Sequence, residues 1–106
     1  MSVEGQQAKA VLARATQAVP GVAYLSPGLR ERVRRMIGQS ADRTAGVRIF
    51  RDAAGSGWQV EVSVAVQAGH RADVVARAVR AAAVTGFAEL EPGATPHVTV
   101  TVTAVV

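Results

Sequence analysis

The stretch WQVEVSVAVQ, residues 58–67, indicates the fold class of this chain. Tryptophan or valine stands at every second position, and each alternates with a polar or small residue. A period of two sustained over this length predicts a β-strand with one buried face. Residues 47–51 predict a second strand, and the Asp- and Gly-containing residues 52–57 between them are typical of a turn. We therefore predict a hairpin of these two strands.

Three other segments predict helices, at residues 3–19, 27–37 and 71–85. Apolar side chains recur in each at spacings of three or four residues, which indicates one buried helical face. The Pro-Gly pair at residues 20–21 predicts the end of the first helix, because proline disfavours helical geometry in the residue before it. Gly86 predicts the end of the last helix.

Two further strands complete the predicted fold. Residues 22–25 are a short apolar stretch, and in residues 97–105 valine alternates with threonine. The order is then an N-terminal helix followed by βαββαβ. Right-handed crossovers on an antiparallel four-stranded sheet predict a ferredoxin-like, two-layer α+β sandwich with the helices on one sheet face. If residues 22–25 do not pair, a three-stranded sheet remains. A length of 106 residues is that of one domain, residues 1–106.

The composition excludes several chemistries. The chain has no cysteine, which excludes disulfides, thiolate metal sites and cysteine nucleophiles. His70 and His97 are far apart in sequence and show no metal-ligand spacing, so we expect no metal. Ser26 precedes a proline and lies in no GxSxG motif, and Glu89 and Glu91 lie in a predicted loop, so we also expect no cofactor and no enzymatic activity. The first twenty residues contain charges and no apolar signal region, and no apolar run is long enough to span a membrane.

The charge balance suggests an anionic partner as one alternative. Twelve basic residues against eight acidic ones give a net charge of +4 and a pI near 11.1. Within the predicted helix 27–37, the candidate patch for an anionic partner is Arg30, Arg32, Arg34 and Arg35. A solvated helix face would have the same sequence, and an arginine excess is also typical of a GC-rich genome.

Nucleic-acid binding is the alternative function that this basic helix suggests. RNA-recognition sheets stack bases on exposed aromatic side chains. On the open face of the predicted sheet only Phe50 could do so, because Trp58 belongs to the inward row. Binding would therefore depend on the arginines of residues 27–37.

The final strand is the candidate site of self-association. Residues 97–106 contain no charged side chain. An unprotected strand at a sheet edge is a template for pairing with another chain, so we expect a homo-oligomer. The residues expected to form this surface are Val98, Thr99, Val100, Thr101, Val102 and Thr103.

Several stretches in this order carry a family resemblance. They are residues 19–25 (VPGVAYL), 46–49 (GVRI), the alternating strand 60–66, 75–79 (VARAV), 85–87 (TGF) and the strand 98–102. With this order and spacing, the sequence resembles the alkaline-shock family, the envelope stress response proteins of Gram-positive bacteria. It looks like a short, divergent member, with Ala68 where the family usually has an aromatic residue.

The resemblance implies a role without catalysis. Members are small adaptors that self-associate and sit under the cell membrane through a separate, membrane-anchored protein. For this chain it therefore implies a cytoplasmic protein at the inner face of the cell membrane, with protein partners and no catalytic residues.

Overall fold

The computed structural model describes residues 6–26, 46–51 and 57–106. The predicted helix over residues 27–37 lies outside these ranges. Within them the elements, in chain order, are α1 (Gln6–Gln17), β1 (Val22–Leu25), β2 (Val47–Arg51), β3 (Trp58–Val66), α2 (Ala72–Leu90) and β4 (His97–Val105).

Strand β3 is the centre of the sheet. Strand β2 pairs with it antiparallel, from Val47 opposite Val62 to Arg51 opposite Trp58, which confirms the predicted pairing of these two strands. Strand β1 pairs antiparallel with the other half of β3, up to Val66. Because β1 and β2 use different halves of β3, they lie end to end along one of its edges.

A pair of hydrogen bonds marks the junction between β1 and β2. The amide of Ser26 donates to the carbonyl of Ser63 at 2.8 Å, and the amide of Ser63 donates to the carbonyl of Gly46 at 2.8 Å. The chain therefore leaves this edge of β3 after β1 and returns to the same point before β2.

Strand β4 occupies the opposite edge of β3 and runs parallel to it, from His97 opposite Gln59 to Val105 opposite Val66. The sheet is therefore mixed, and the described strands do not form the predicted ferredoxin-like order. That order places the strand at residues 22–25 between β3 and β4. Instead α2, with 19 residues, returns the chain across the sheet so that β4 lies directly beside β3.

The α+β class and the two-layer arrangement are confirmed. Helix α1 packs on β1 and β2, α2 packs on β3 and β4, and the two helices contact each other, so both cover the same sheet face. Trp58 points into this layer, where its ring centroid lies 5.9 Å from that of Phe87. The fully buried side chains include Leu12, Val60, Val62, Val64, Val66, Val79 and Phe87.

The prediction that Gly86 ends the last helix is wrong. Helix α2 continues through it to Leu90. A Cβ atom at residue 86 would lie 3.0 Å from Cδ2 of Leu12 and 3.7 Å from Cβ of Ala15. This glycine therefore serves the close approach of α1 and α2, and the helix ends before the Pro-Gly pair at residues 92–93.

Helix α1 ends at Gln17, before the predicted end at residue 19, and Gly21 follows with φ of +93°. Residues with a Cβ atom rarely adopt this backbone conformation. A glycine at this position therefore allows the chain to turn from the helix into β1.

Candidate interaction surface

The candidate surface is the β4 edge, meaning the side of His97–Val105 that faces away from β3. In the described part of the chain, β4 pairs with β3 and with no other strand. All residues of the predicted association surface except Thr103 lie in its regular portion. The structure thus places the predicted surface at a sheet edge, although it reaches that edge by parallel pairing.

Alternation along β4 separates two kinds of side chain. Val98 is only 4% exposed, and Val100 and Val102 are partly buried against the core on the helix-covered side. Thr99 and Thr101 are exposed and project to the opposite side of the sheet. The two partly buried valines therefore border the edge, where a further strand would cover them.

Thr103 departs from this regular pattern. The register shifts between Val64, opposite Val102, and Ala65, opposite Ala104, so Thr103 is an extra residue in β4. Its hydroxyl donates to the carbonyl of Val64 at 3.2 Å. A bulge of this kind interrupts regular pairing. The regular portion of β4 therefore ends at Val102, a feature that the strict Val-Thr alternation of the sequence conceals.

Beyond the bulge the strand becomes apolar and exposed. Val105 and Val106 are 60% and 55% exposed, yet Val106 stays in the ladder: its amide donates to Val66 at 2.8 Å, and its carbonyl accepts from Ala68 at 2.6 Å. The backbone holds these two residues in place while leaving their side chains accessible.

In the described part of the chain, the sheet face away from α1 and α2 carries a polar cluster. Arg48 and Glu61 are cross-strand partners and form a 2.7 Å ion pair, and the guanidinium of Arg48 lies 5.0 Å from the ring centroid of Phe50. Phe50, the one aromatic residue predicted on this face, is therefore already in contact with a cation. Tyr24, 47% exposed and opposite Ala65, is a second aromatic residue that sequence reasoning missed.

The remaining predicted features are the arginine patch and the two histidines. The candidate anionic-partner patch, Arg30, Arg32, Arg34 and Arg35, lies outside the described residues. His70 and His97 are both exposed. Among residues 6–26, 46–51 and 57–106, no group of three or more His, Asp or Glu side chains could hold a metal ion.

A groove of about 580 Å³ runs between the two helices. Small side chains form most of it, and Arg14 and Glu89 are its charged members. The full lining is Val11, Arg14, Ala15, Ala18, Ala81, Ala82, Thr85, Gly86 and Glu89. Gly86, which allows α1 and α2 to approach closely, is part of this lining.

No helix in the described ranges is long and apolar enough to cross a membrane. No protein-family model, curated protein or solved structure matches this chain. The resemblance to the alkaline-shock family therefore stays a prediction, and the β4 edge is the feature on which a function can be argued.

Proposed function

We propose that this chain is a non-enzymatic interaction module that self-associates through the β4 edge. The supporting observation is that a nine-residue strand pairs on one side only within the described part of the chain. Unpaired amide and carbonyl groups along such an edge bind another strand.

The composition of this edge supports the proposal. Proteins protect edge strands with charged residues, with proline or with bulges. Residues 97–106 contain no Lys, Arg, Asp, Glu or Pro. The bulge at Thr103 interrupts the strand after Val102 but leaves the portion before it regular. A second strand would therefore meet neither a charge nor a proline there.

The test is a charge placed in the middle of the edge. We expect Thr101→Lys to raise the dissociation constant of the self-associated form at least about tenfold, which corresponds to about 1.4 kcal/mol. Thr101 is exposed, so the variant keeps its fold. Sedimentation velocity over a concentration series measures the effect.

The matched control is Gln17→Lys, which adds the same charge at an exposed position of α1, the helix over the other edge of the sheet. This variant should associate like the unmodified chain. Equal oligomer size for Thr101→Lys and Gln17→Lys would contradict the proposal, as would a chain that is monomeric throughout.

The resemblance extends the proposal to a cellular role. In that role the module is a cytoplasmic adaptor of the envelope stress type, bound at the inner face of the membrane through a separate membrane-anchored protein. Self-association through β4 would join two copies, so that each assembly offers its partner more than one binding surface.

A further inference from the structure

We infer that the partner of the β4 edge is a second copy of this chain, paired antiparallel about a two-fold axis at Val100. This inference rests on the proposed self-association and adds its register. The direction of the backbone groups in β3 determines which backbone groups of β4 face the open edge.

Ser63 fixes these directions. Both its amide and its carbonyl bond to the edge that holds β1 and β2, through Gly46 and Ser26. Backbone groups of successive residues in a strand point to opposite sides, so Val62 and Val64 direct theirs towards β4.

The parallel ladder then assigns the groups of β4. Val62 is the Cα partner of Val100. In a parallel pair the bonds are slanted, so a residue bonds to the two neighbours of its partner. The backbone of Val62 therefore forms hydrogen bonds with Thr99 and Thr101, so the backbone groups of these two threonines face β3. The residues whose amide and carbonyl groups face the open edge are Val98, Val100 and Val102.

One antiparallel register uses all of these outward groups. With the axis at Val100, Val100 of one copy faces Val100 of the other. Val98 of each copy then faces Val102 of the other copy. Each facing pair exchanges two hydrogen bonds. A slip of two residues leaves some outward groups unpaired. A slip of one residue places valine opposite threonine, so that the buried face of one strand would align with the exposed face of the other.

The side chains agree with the same register. The partly buried valines of the two copies join into one row on the helix-covered side, where a second copy removes Val100 and Val102 from water. On the opposite side, Thr99 faces Thr101 of the second copy, and threonine pairs are favourable cross-strand neighbours. The bulge at Thr103 lies just outside the paired segment.

Disulfide trapping tests this register. The chain has no native cysteine, so only the introduced thiols can form a disulfide. Thr99 and Thr101 of the second copy form a non-hydrogen-bonded pair, whose Cα atoms lie about 4.5 Å apart, within disulfide range. Two copies of Thr99 lie about 8 Å apart in this register, which is too far. The probes are Thr99→Cys and Thr101→Cys chains carrying tags of different mass.

We expect the mixture to cross-link at least about tenfold faster than either variant alone, because only the mixture holds facing thiols at high effective concentration. Gln17→Cys, an exposed position on α1, is the background control. Self-linking of Thr99→Cys would indicate an axis at Thr99, and self-linking of Thr101→Cys an axis at Thr101. Either result overturns the register.

Sedimentation of the same chains in reducing buffer separates two kinds of failure. Oligomers that yield no link between residues 99 and 101 above the Gln17→Cys background contradict this register but leave self-association standing. Monomers at every concentration contradict both the register and the proposed function.

Discussion

At the scale of single residues, two glycines allow a close helix contact and a sharp turn that this fold contains. Gly86 allows α1 and α2 to approach, and Gly21 turns the chain from α1 into β1. The two differ in kind: Gly86 is needed for space, whereas Gly21 is needed for both space and conformation. At Gly21, a Cβ atom would lie 2.7 Å from Cγ2 of Val75 and 2.9 Å from Nδ1 of His70.

Alanine substitution separates these two requirements. Gly21 and Gly69 have almost the same φ, +93° and +94°, but nothing lies within 4 Å of a Cβ atom at residue 69. We expect Gly69→Ala to lower the free energy of unfolding by about 1–2 kcal/mol, the cost of a left-handed conformation. Gly21→Ala should lose about 1–3 kcal/mol more, because its methyl group meets Val75 and His70. Urea unfolding measures both, and equal losses would contradict the steric role of Gly21.

The same glycine shows why a local pattern does not decide a helix end. The sequence around Gly86 predicts a helix end because glycine commonly terminates helices. Whether a glycine ends a helix or fills a helix contact depends on what lies beside it, here Leu12 of α1. That neighbour is distant in sequence, so no local pattern reveals it.

At the scale of elements, the sequence predicted every helix and strand of the described chain and the pairing of β2 with β3, but it placed β4 beside the wrong strand. The alternation in β3 arises from its own pleat, with one side chain in two facing the helices. The parallel pairing of β3 with β4 depends instead on where α2 returns the chain. The Val-Thr alternation of β4 suits a parallel or an antiparallel neighbour equally well, so it could not correct the antiparallel, ferredoxin-like order that was predicted.

Proline substitution tests which backbone groups of β4 are used within the chain. The amide of Val100 faces the open edge, whereas that of Thr99 faces β3. Proline lacks an amide hydrogen, and a strand tolerates it where that hydrogen would face outward. We expect Val100→Pro to keep the fold and to lose self-association. Thr99→Pro should lower the free energy of unfolding by about 1–3 kcal/mol more than Val100→Pro, because it leaves a carbonyl of β3 unpaired.

Urea unfolding and sedimentation of the two proline variants measure these effects. Thr101→Lys is the reference for loss of association without loss of a ladder bond. If Val100→Pro is the more destabilising of the two proline variants, the assignment of inward and outward groups along β4 is wrong.

At the scale of the whole molecule, the helices cover one face of the sheet, and the β4 edge lies on the far side of β3 from β1 and β2. Association through this edge would therefore extend the sheet without disturbing the chain segments that leave and return beside Ser63. Ser26 and Gly46, which flank the part of the sequence that contains the four candidate arginines, both bond to Ser63 at the opposite edge. Substitutions in β4 and substitutions of those arginines therefore test the two hypotheses separately.

Cell fractionation distinguishes the proposed adaptor role from nucleic-acid binding. The adaptor role assigns membrane attachment to a separate protein, so the tagged chain should sediment with membranes in its own host and stay there after nuclease treatment. In a host without the partner, it should stay in the supernatant. A large complex that nuclease disperses would contradict the adaptor role and favour binding through Arg30, Arg32, Arg34 and Arg35. Alanine at Arg30 and Arg34 should then abolish the complex, whereas Thr101→Lys, in β4, should leave it intact.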